Sequence, residues 1–81
     1  MPNDSKLVQI AFGQVLREVR SSQGMSQQSL ALNSDLDRTY VSLLERGLRQ
    51  PTLTTIYALS RTLHIDPAHL VDRTSRAMHS S

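Results

Sequence analysis

The sequence predicts an all-α fold of five short helices, and two observations support that prediction. Apolar residues recur at steps of three and four along most of the chain, which is the spacing of helices that bury one face. Residues that favour helix starts (Ser, Thr and Asp) and helix ends (Gly) fall between these stretches. Helices account for the whole pattern, so we expect no strands.

The first two helices have recognisable starts and ends. Asp4 or Ser5 can cap the first helix, and Gly24 ends it. Ser26 caps a second helix that extends to about Asn33. The apolar positions of these helices are Leu7, Ile10, Ala11, Phe12, Val15, Leu16, Val19, Leu30 and Ala31. Their spacing predicts that both helices pack against a common core.

The three remaining helices follow in the same manner. Asp37 caps the third helix and Gly47 ends it. Thr52 caps the fourth, and Asp66 with Pro67 opens the fifth. Their apolar positions are Val41, Leu44, Leu53, Ile56, Leu59, Leu63, Leu70 and Val71. A tight polar turn joins the second and third helices, which is the arrangement known as a helix-turn-helix.

The length and composition limit what the chain can be. Its 81 residues suffice for one small domain, which we place at residues 1–72, followed by a disordered tail at residues 73–81. The sequence contains no cysteine, which excludes disulfides and thiolate metal sites. It has no apolar run of membrane-spanning length and no signal-peptide pattern, so we expect a cytoplasmic protein without membrane contact.

The third helix has two chemically different faces. Val41 and Leu44 share one side at about 100° per residue, which predicts contact with the core. The opposite side and its flank carry Arg38, Thr39, Ser42, Leu43 and Arg46. An arginine fork, two hydroxyls and a leucine are suited to contacting base edges in DNA. A net charge of +2 permits nucleic-acid binding without requiring it.

These features resemble the lambda-repressor and Cro-like (XRE-type) helix-turn-helix family. The matching segments are Leu16-Arg17-Glu18-Val19-Arg20, Gly24-Met25-Ser26-Gln27-Gln28-Ser29-Leu30-Ala31, Glu45-Arg46-Gly47, Pro51-Thr52 and Leu59-Ser60 with Leu63. The run Leu36-Asp37-Arg38-Thr39-Tyr40-Val41-Ser42 is further similar to controller proteins of restriction–modification systems. The resemblance implies a five-helix lambda-repressor-like DNA-binding domain with its helix-turn-helix at helices 2 and 3.

The resemblance implies which residues contact bases. Arg38, Thr39 and Ser42 occupy positions that in the family touch bases or the nearby backbone. Arg38 is the best candidate, because a guanidinium can bond O6 and N7 of guanine together; alternatively it pairs with a neighbouring aspartate. Leu43 has two readings. It either packs on a thymine methyl or belongs partly to the core of a rolled helix.

Other residues are expected to contact the DNA backbone or to support the fold. The expected backbone contacts are Gln27, Gln28, Tyr40, Arg46 and Arg49. Gln27 could instead be a solvated polar residue, and Tyr40 lies near the core edge with a hydroxyl that could reach a phosphate. The resemblance also implies a structural ion pair between Arg20 and Glu45, which would lock the first helix to the third.

The resulting hypothesis is a sequence-specific DNA-binding transcriptional regulator. We expect a homodimer on a palindromic operator, with Ile65, His69 and Val71 as candidate interface residues. The alternative is a protein-interaction module such as an antitoxin-like partner. The histidines lack metal-ligand spacing and no nucleophile motif is present, so we expect no enzyme, metal site or cofactor.

Overall fold

The structure, a computed structural model that describes residues 4–79, contains five α-helices. The helices are α1 (Asp4–Ser22), α2 (Gln27–Asn33), α3 (Arg38–Glu45), α4 (Leu53–Leu63) and α5 (Pro67–His79). Residues 4–79 contain no strand, so the all-α prediction is confirmed. None of the helices in this range combines the length and the apolar character needed to cross a bilayer.

Side-chain caps start most of the helices where the sequence predicts them. Ser26 and Thr52 each accept a backbone N–H three residues further on, at 3.0 Å, and Asp37 accepts one two residues further on, also at 3.0 Å. Asp66 accepts the N–H of Ala68 at 2.8 Å at the start of α5. These bonds satisfy donors that the first helical turn leaves unpaired. The capping prediction for α1 was wrong, because α1 already includes Asp4 in its first turn.

The core lies between α1 and the other helices and is almost entirely aliphatic. Its members are Phe12, Val15, Leu16, Val19, Leu30, Ala31, Val41, Leu44, Leu59, Leu63 and Leu70. All of them are at most 4% exposed. Every helix contributes to this cluster, so a short chain obtains one continuous apolar interior.

Helices α1 and α3 approach each other closely at Gly13. A Cβ built on this buried glycine would overlap the carbonyl oxygen of Leu44 and lie 2.7 Å from that of Glu45. Real side chains do not come so near a backbone oxygen, so only glycine fits here. The end of α3 therefore rests directly on the backbone of α1.

The predicted disordered tail is wrong for residues 73–79, which continue α5 to His79. Thr74 is buried and donates its hydroxyl to the Leu70 carbonyl at 3.0 Å, and Ala77 packs against the core. Leu70, Thr74 and Ala77 lie at helical spacing, so small side chains extend the buried face that Leu70 begins. Residues 80 and 81 of the predicted tail lie outside the described range.

Several apolar residues that the spacing placed inside are exposed. Leu53 is 69% exposed, Leu7 is 55% exposed and Val71 is 46% exposed. Leu53 belongs to the first turn of α4, and Leu7 lies near the start of α1. Helical spacing predicts which residues share a face, but it does not predict whether another helix covers that face along its whole length.

Candidate nucleic-acid interface

The turn between α2 and α3 is fixed to the rest of the domain. The Leu36 N–H donates to the Ala31 carbonyl at 2.8 Å, and the Leu36 side chain packs against the core. Asp35 adopts a left-handed backbone with φ of 58°, which aspartate tolerates better than most residues. The buried Ser34 donates its hydroxyl to Thr62 on α4 at 2.7 Å. The orientation of α3 is therefore set by contacts on both sides of the turn.

Helix α3 divides into a buried and an exposed face, as its sequence predicts. Val41 and Leu44 are both 0% exposed, and Glu45 is buried beside them. Arg38 and Thr39 are exposed, and Ser42 is half-buried. Gly47 ends the helix with φ of 73°, and it is buried against Ile10 on α1. The helix is thus anchored at its C-terminal end and along one side.

The first residue of the exposed face is Arg38, whose guanidinium has no partner among residues 4–79. Within residues 4–79, Arg38 forms no ion pair or side-chain hydrogen bond, so it does not pair with Asp35 or Asp37. The Asp37 carboxylate instead accepts the Thr39 N–H at 3.0 Å. The alternative reading of Arg38 as a surface ion-pair partner therefore finds no support in the geometry.

Tyr40 and Leu43, for which the sequence allows two roles, differ in their surroundings. Tyr40 is half-buried and packs against the core, and its hydroxyl lies 3.4 Å from Thr55 Oγ1 on α4. Leu43 is half-buried but is not among the partly buried residues that pack on the core. Both side chains thus keep part of their surface at the edge of the exposed face.

Arg20 and Glu45 form an ion pair that joins α1 to the end of α3. Arg20 Nε donates to Glu45 Oε2 at 2.6 Å and Nη2 donates to Oε1 at 2.9 Å, while Nη1 donates to the Met25 carbonyl at 2.8 Å. The Glu45 side chain is 2% exposed. The hydrogen bond to Glu45 raises the pKa of Arg20 above its ordinary value, although burial acts in the opposite direction. The guanidinium therefore stays charged and bidentate.

A second residue that bonds this carboxylate was not predicted. Gln27 Nε2, at the first residue of α2, donates to Glu45 Oε1 at 2.9 Å. The sequence predicts that Gln27 contacts the DNA backbone or solvent, whereas in the structure its amide bonds Glu45 on α3. Nothing in the sequence spacing signals this bond, because the two residues are 18 positions apart on different helices.

The remaining predicted backbone contacts are all exposed. Gln28 lies on α2, Arg46 caps the end of α3, and Arg49 lies in the loop before α4. Arg49 donates to the neighbouring Leu48 carbonyl at 3.0 Å, which leaves most of its guanidinium free. All three side chains are therefore accessible to a partner on the surface of the domain.

The three predicted interface residues do not share one surface. Ile65 is half-buried and packs against the core. His69 and Val71 are exposed on α5, but residues two positions apart on a helix point about 200° apart. Val71 lines an apolar groove with Ile56 and Pro51. On α4, Leu53 and Tyr57 are also exposed and lie one turn apart, outside the lining of this groove.

Comparison with known proteins points in the same direction as the geometry. Residues 16–70 match the family described as Helix-turn-helix. The chain is 42% identical over 69 residues to Control protein C.BamHI of Bacillus amyloliquefaciens, and the match covers 84% of this chain and 85% of that protein.

Solved structures extend the comparison to three dimensions. The restriction-modification controller protein C.AhdI from Aeromonas hydrophila superposes with a TM-score of 0.74 at 48% identity, covering 75% of this chain and 92% of that one. The controller protein C.Esp1396I, crystallised as a tetramer in complex with its natural 35 base-pair operator, superposes with a TM-score of 0.81 at 26% identity. That match covers 90% of this chain and 96% of the other.

Proposed function

We propose that this chain, which belongs to the helix-turn-helix family, is a sequence-specific DNA-binding transcriptional regulator. The observation that carries the proposal is the division of α3. Arg38 and Thr39 are exposed and Arg38 is unpaired within residues 4–79, while Val41 and Leu44 hold the opposite side in the core. A short helix held rigidly on one side and polar on the other fits the major groove.

The bases are read by Arg38, Thr39, Ser42 and Leu43 in this proposal. Arg38 bonds guanine, since its guanidinium has no partner in the described part of the fold to give up. Thr39 and Ser42 offer hydroxyls that can donate or accept. Leu43 contacts a thymine methyl, which agrees with a half-buried side chain that does not pack on the core.

The DNA backbone is held by residues around this face, namely Gln27, Gln28, Tyr40, Arg46 and Arg49. Arginines at the end of α3 and in the following loop suit phosphate contacts, because phosphates position a protein without distinguishing sequences. The Tyr40 hydroxyl lies 3.4 Å from Thr55 Oγ1, and this contact partly fixes its orientation. In this proposal the hydroxyl donates a hydrogen bond to a phosphate.

The active form in this proposal is a homodimer on a palindromic operator. One recognition helix covers only a few base pairs, whereas two copies about 34 Å apart read two half-sites. Of the predicted interface residues, Val71 fits this role best, because it is exposed and borders an apolar groove that Pro51 and Ile56 also line. Ile65 packs against the core instead, and His69 lies on another side of α5.

The biological setting that we propose is control of a restriction–modification system. C.BamHI and C.AhdI, which bear the names of control or controller proteins, are 42% and 48% identical to this chain. The protein would act in the cytoplasm, where the operator lies, and without a cofactor or an enzymatic activity of its own.

Selection of bound sites from random DNA duplexes tests the function. We expect an enriched palindrome containing guanines, and we expect Arg38→Ala to remove the preference for those guanines at a cost of about 1–3 kcal/mol. Arg46→Ala is the control, since loss of a phosphate contact weakens all sequences about equally. If no site is enriched, the protein is not a sequence-specific regulator.

The alternative of a protein-interaction module is not favoured by the relatives or by the fold. Binding to nonspecific duplex at two salt concentrations separates the two functions. A DNA-binding protein releases counterions from the duplex, so its affinity should fall steeply as salt rises.

A further inference from the structure

The buried carboxylate of Glu45 ties two other helices to the end of α3. Oε1 accepts from Arg20 Nη2 and from Gln27 Nε2, both at 2.9 Å, and Oε2 accepts from Arg20 Nε at 2.6 Å. The Glu45 side chain is only 2% exposed, so its position is fixed. The hydrogen bond from Gln27 therefore ties the start of α2 to the end of α3. The ion pair explains why Arg20 contacts Glu45, but it does not explain the hydrogen bond from Gln27.

The bond from Gln27 fixes which end of its amide faces Glu45. A carboxylate accepts hydrogen bonds and does not donate them, so Gln27 must turn Nε2 toward it and Oε1 elsewhere. Nε2 carries two N–H groups, and it has one acceptor among residues 4–79. Since Gln27 is only half-buried, the second N–H can reach an acceptor outside the protein.

We propose that Glu45 is a positioning residue for DNA binding, which holds the Gln27 amide so that the second N–H donates to one operator phosphate. The inference rests on the proposed function. Arg20 neutralises the carboxylate, so an approaching phosphate meets a donor rather than an unpaired anion. Without Glu45 the amide can rotate and present Oε1, which a phosphate oxygen repels.

The test uses operator duplexes that each carry a single methylphosphonate in place of one phosphate. This change removes the charged acceptor at one position and leaves the base sequence intact. For the wild type we expect one position at which the modification weakens binding roughly tenfold, as for a hydrogen bond to a charged group. Gln27→Ala should remove the penalty at that position and no other. Gln14→Ala, which changes an exposed glutamine on α1 to which no DNA contact is assigned, should leave it in place.

The decisive variant is the double substitution Arg20→Met with Glu45→Met. It removes both charges together and leaves no unpaired buried ion, so the domain is expected to fold, which circular dichroism verifies. Gln27 is still present but has lost its anchor, and the penalty at its phosphate should fall to about twofold while penalties at other phosphates persist. Arg20→Lys keeps both the counter-charge and the Gln27 bond, so it should retain the full penalty.

A full penalty in the double variant would show that Glu45 only stabilises the fold, and it would overturn the inference while leaving the proposed function intact. The absence of any phosphate whose penalty depends on Gln27 would overturn it as well. A wild type that binds no selected duplex would overturn the proposed function and this inference together.

Discussion

At the residue scale, two arginines show how surroundings decide the role of identical side chains. Arg20 donates from all three of its guanidinium nitrogens, to Glu45 and to the Met25 carbonyl. Arg38 is exposed, and residues 4–79 provide no partner for it. Both carry the same charge, so burial and partners alone separate a structural arginine from one that is available to DNA.

Replacing Glu45 with alanine should destabilise the domain strongly. It leaves the half-buried Arg20 without its counter-ion, and removing one partner of a buried pair costs about 3–5 kcal/mol. We expect Tm in a thermal unfolding experiment to fall by more than about 10 °C. Arg38→Ala is the control, and it should change Tm by no more than about 4 °C while weakening DNA binding. Equal Tm values for Glu45→Ala and wild type would contradict the structural role.

Ser60 should tolerate replacement better than its burial suggests. The residue is 2% exposed, and among the described buried side-chain polar atoms its Oγ is the one without a hydrogen-bond partner. Ser60→Ala removes this unpaired group, so we expect about 1 kcal/mol of added stability and a higher Tm. Ser34→Ala should act in the opposite direction, because it breaks the 2.7 Å bond to Thr62. A lower Tm for Ser60→Ala would mean that its hydroxyl has a partner.

At the element scale, helix starts could be predicted from the sequence because they depend on local chemistry. Ser26, Asp37 and Thr52 each cap a helix with their own side chain, and these bonds span two or three residues. Contacts between helices depend on distances that no local pattern encodes. The approach of α1 to α3 at Gly13 and the exposure of Leu53 therefore became visible only in the structure.

The same limit applies to the candidate site. The exposed face of α3 follows from helical periodicity, and the pairing of Arg20 with Glu45 came from the family resemblance. The bond between Gln27 and Glu45 depends on how α2 packs beside α3, so neither spacing nor composition predicts it. The burial of Thr74 likewise depends on how far α5 packs along α1, and no local pattern encodes this packing.

Gly13→Ala should destabilise the domain even though alanine favours helices more than glycine by about 1 kcal/mol. The added Cβ would overlap the Leu44 carbonyl oxygen, so α1 and α3 must separate, and overpacking of this kind costs about 1–3 kcal/mol. We expect a lower Tm together with weaker DNA binding, because α3 moves. The control is Gln14→Ala on the exposed side of α1, which should leave both quantities nearly unchanged. A Tm for Gly13→Ala equal to that of wild type would disprove the close contact.

At the scale of the whole molecule, exposed apolar residues on α4 and α5 remain without a partner in the monomer. Leu53 is 69% exposed, Tyr57 is 54% exposed and Val71 is 46% exposed. Val71 borders the apolar groove that Ile56 also lines. This surface is distinct from the exposed face of α3, so in the proposed dimer one surface can join two copies while the other contacts DNA.

Leu53→Asp should shift the protein from dimer to monomer. A charge on this apolar surface would be desolvated on association, whereas in the monomer the side chain is exposed and the fold is expected to persist. Sedimentation equilibrium measures the change, and binding to a full palindrome should fall toward the affinity for a half-site. Leu32→Asp offers a matched control, since Leu32 is 79% exposed on α2 and should leave dimerisation intact. An unchanged dimer for Leu53→Asp would place the interface elsewhere.

The separation of the two sides of α3 has a consequence for how such regulators diversify. Val41, Leu44 and Glu45 hold the helix in place, and none of them needs to change when Arg38 or Thr39 is exchanged. Duplicated copies of the gene can therefore acquire different operator preferences through substitutions on the exposed side alone. Two such regulators could function in one cell without binding each other's operators, although their folds are the same.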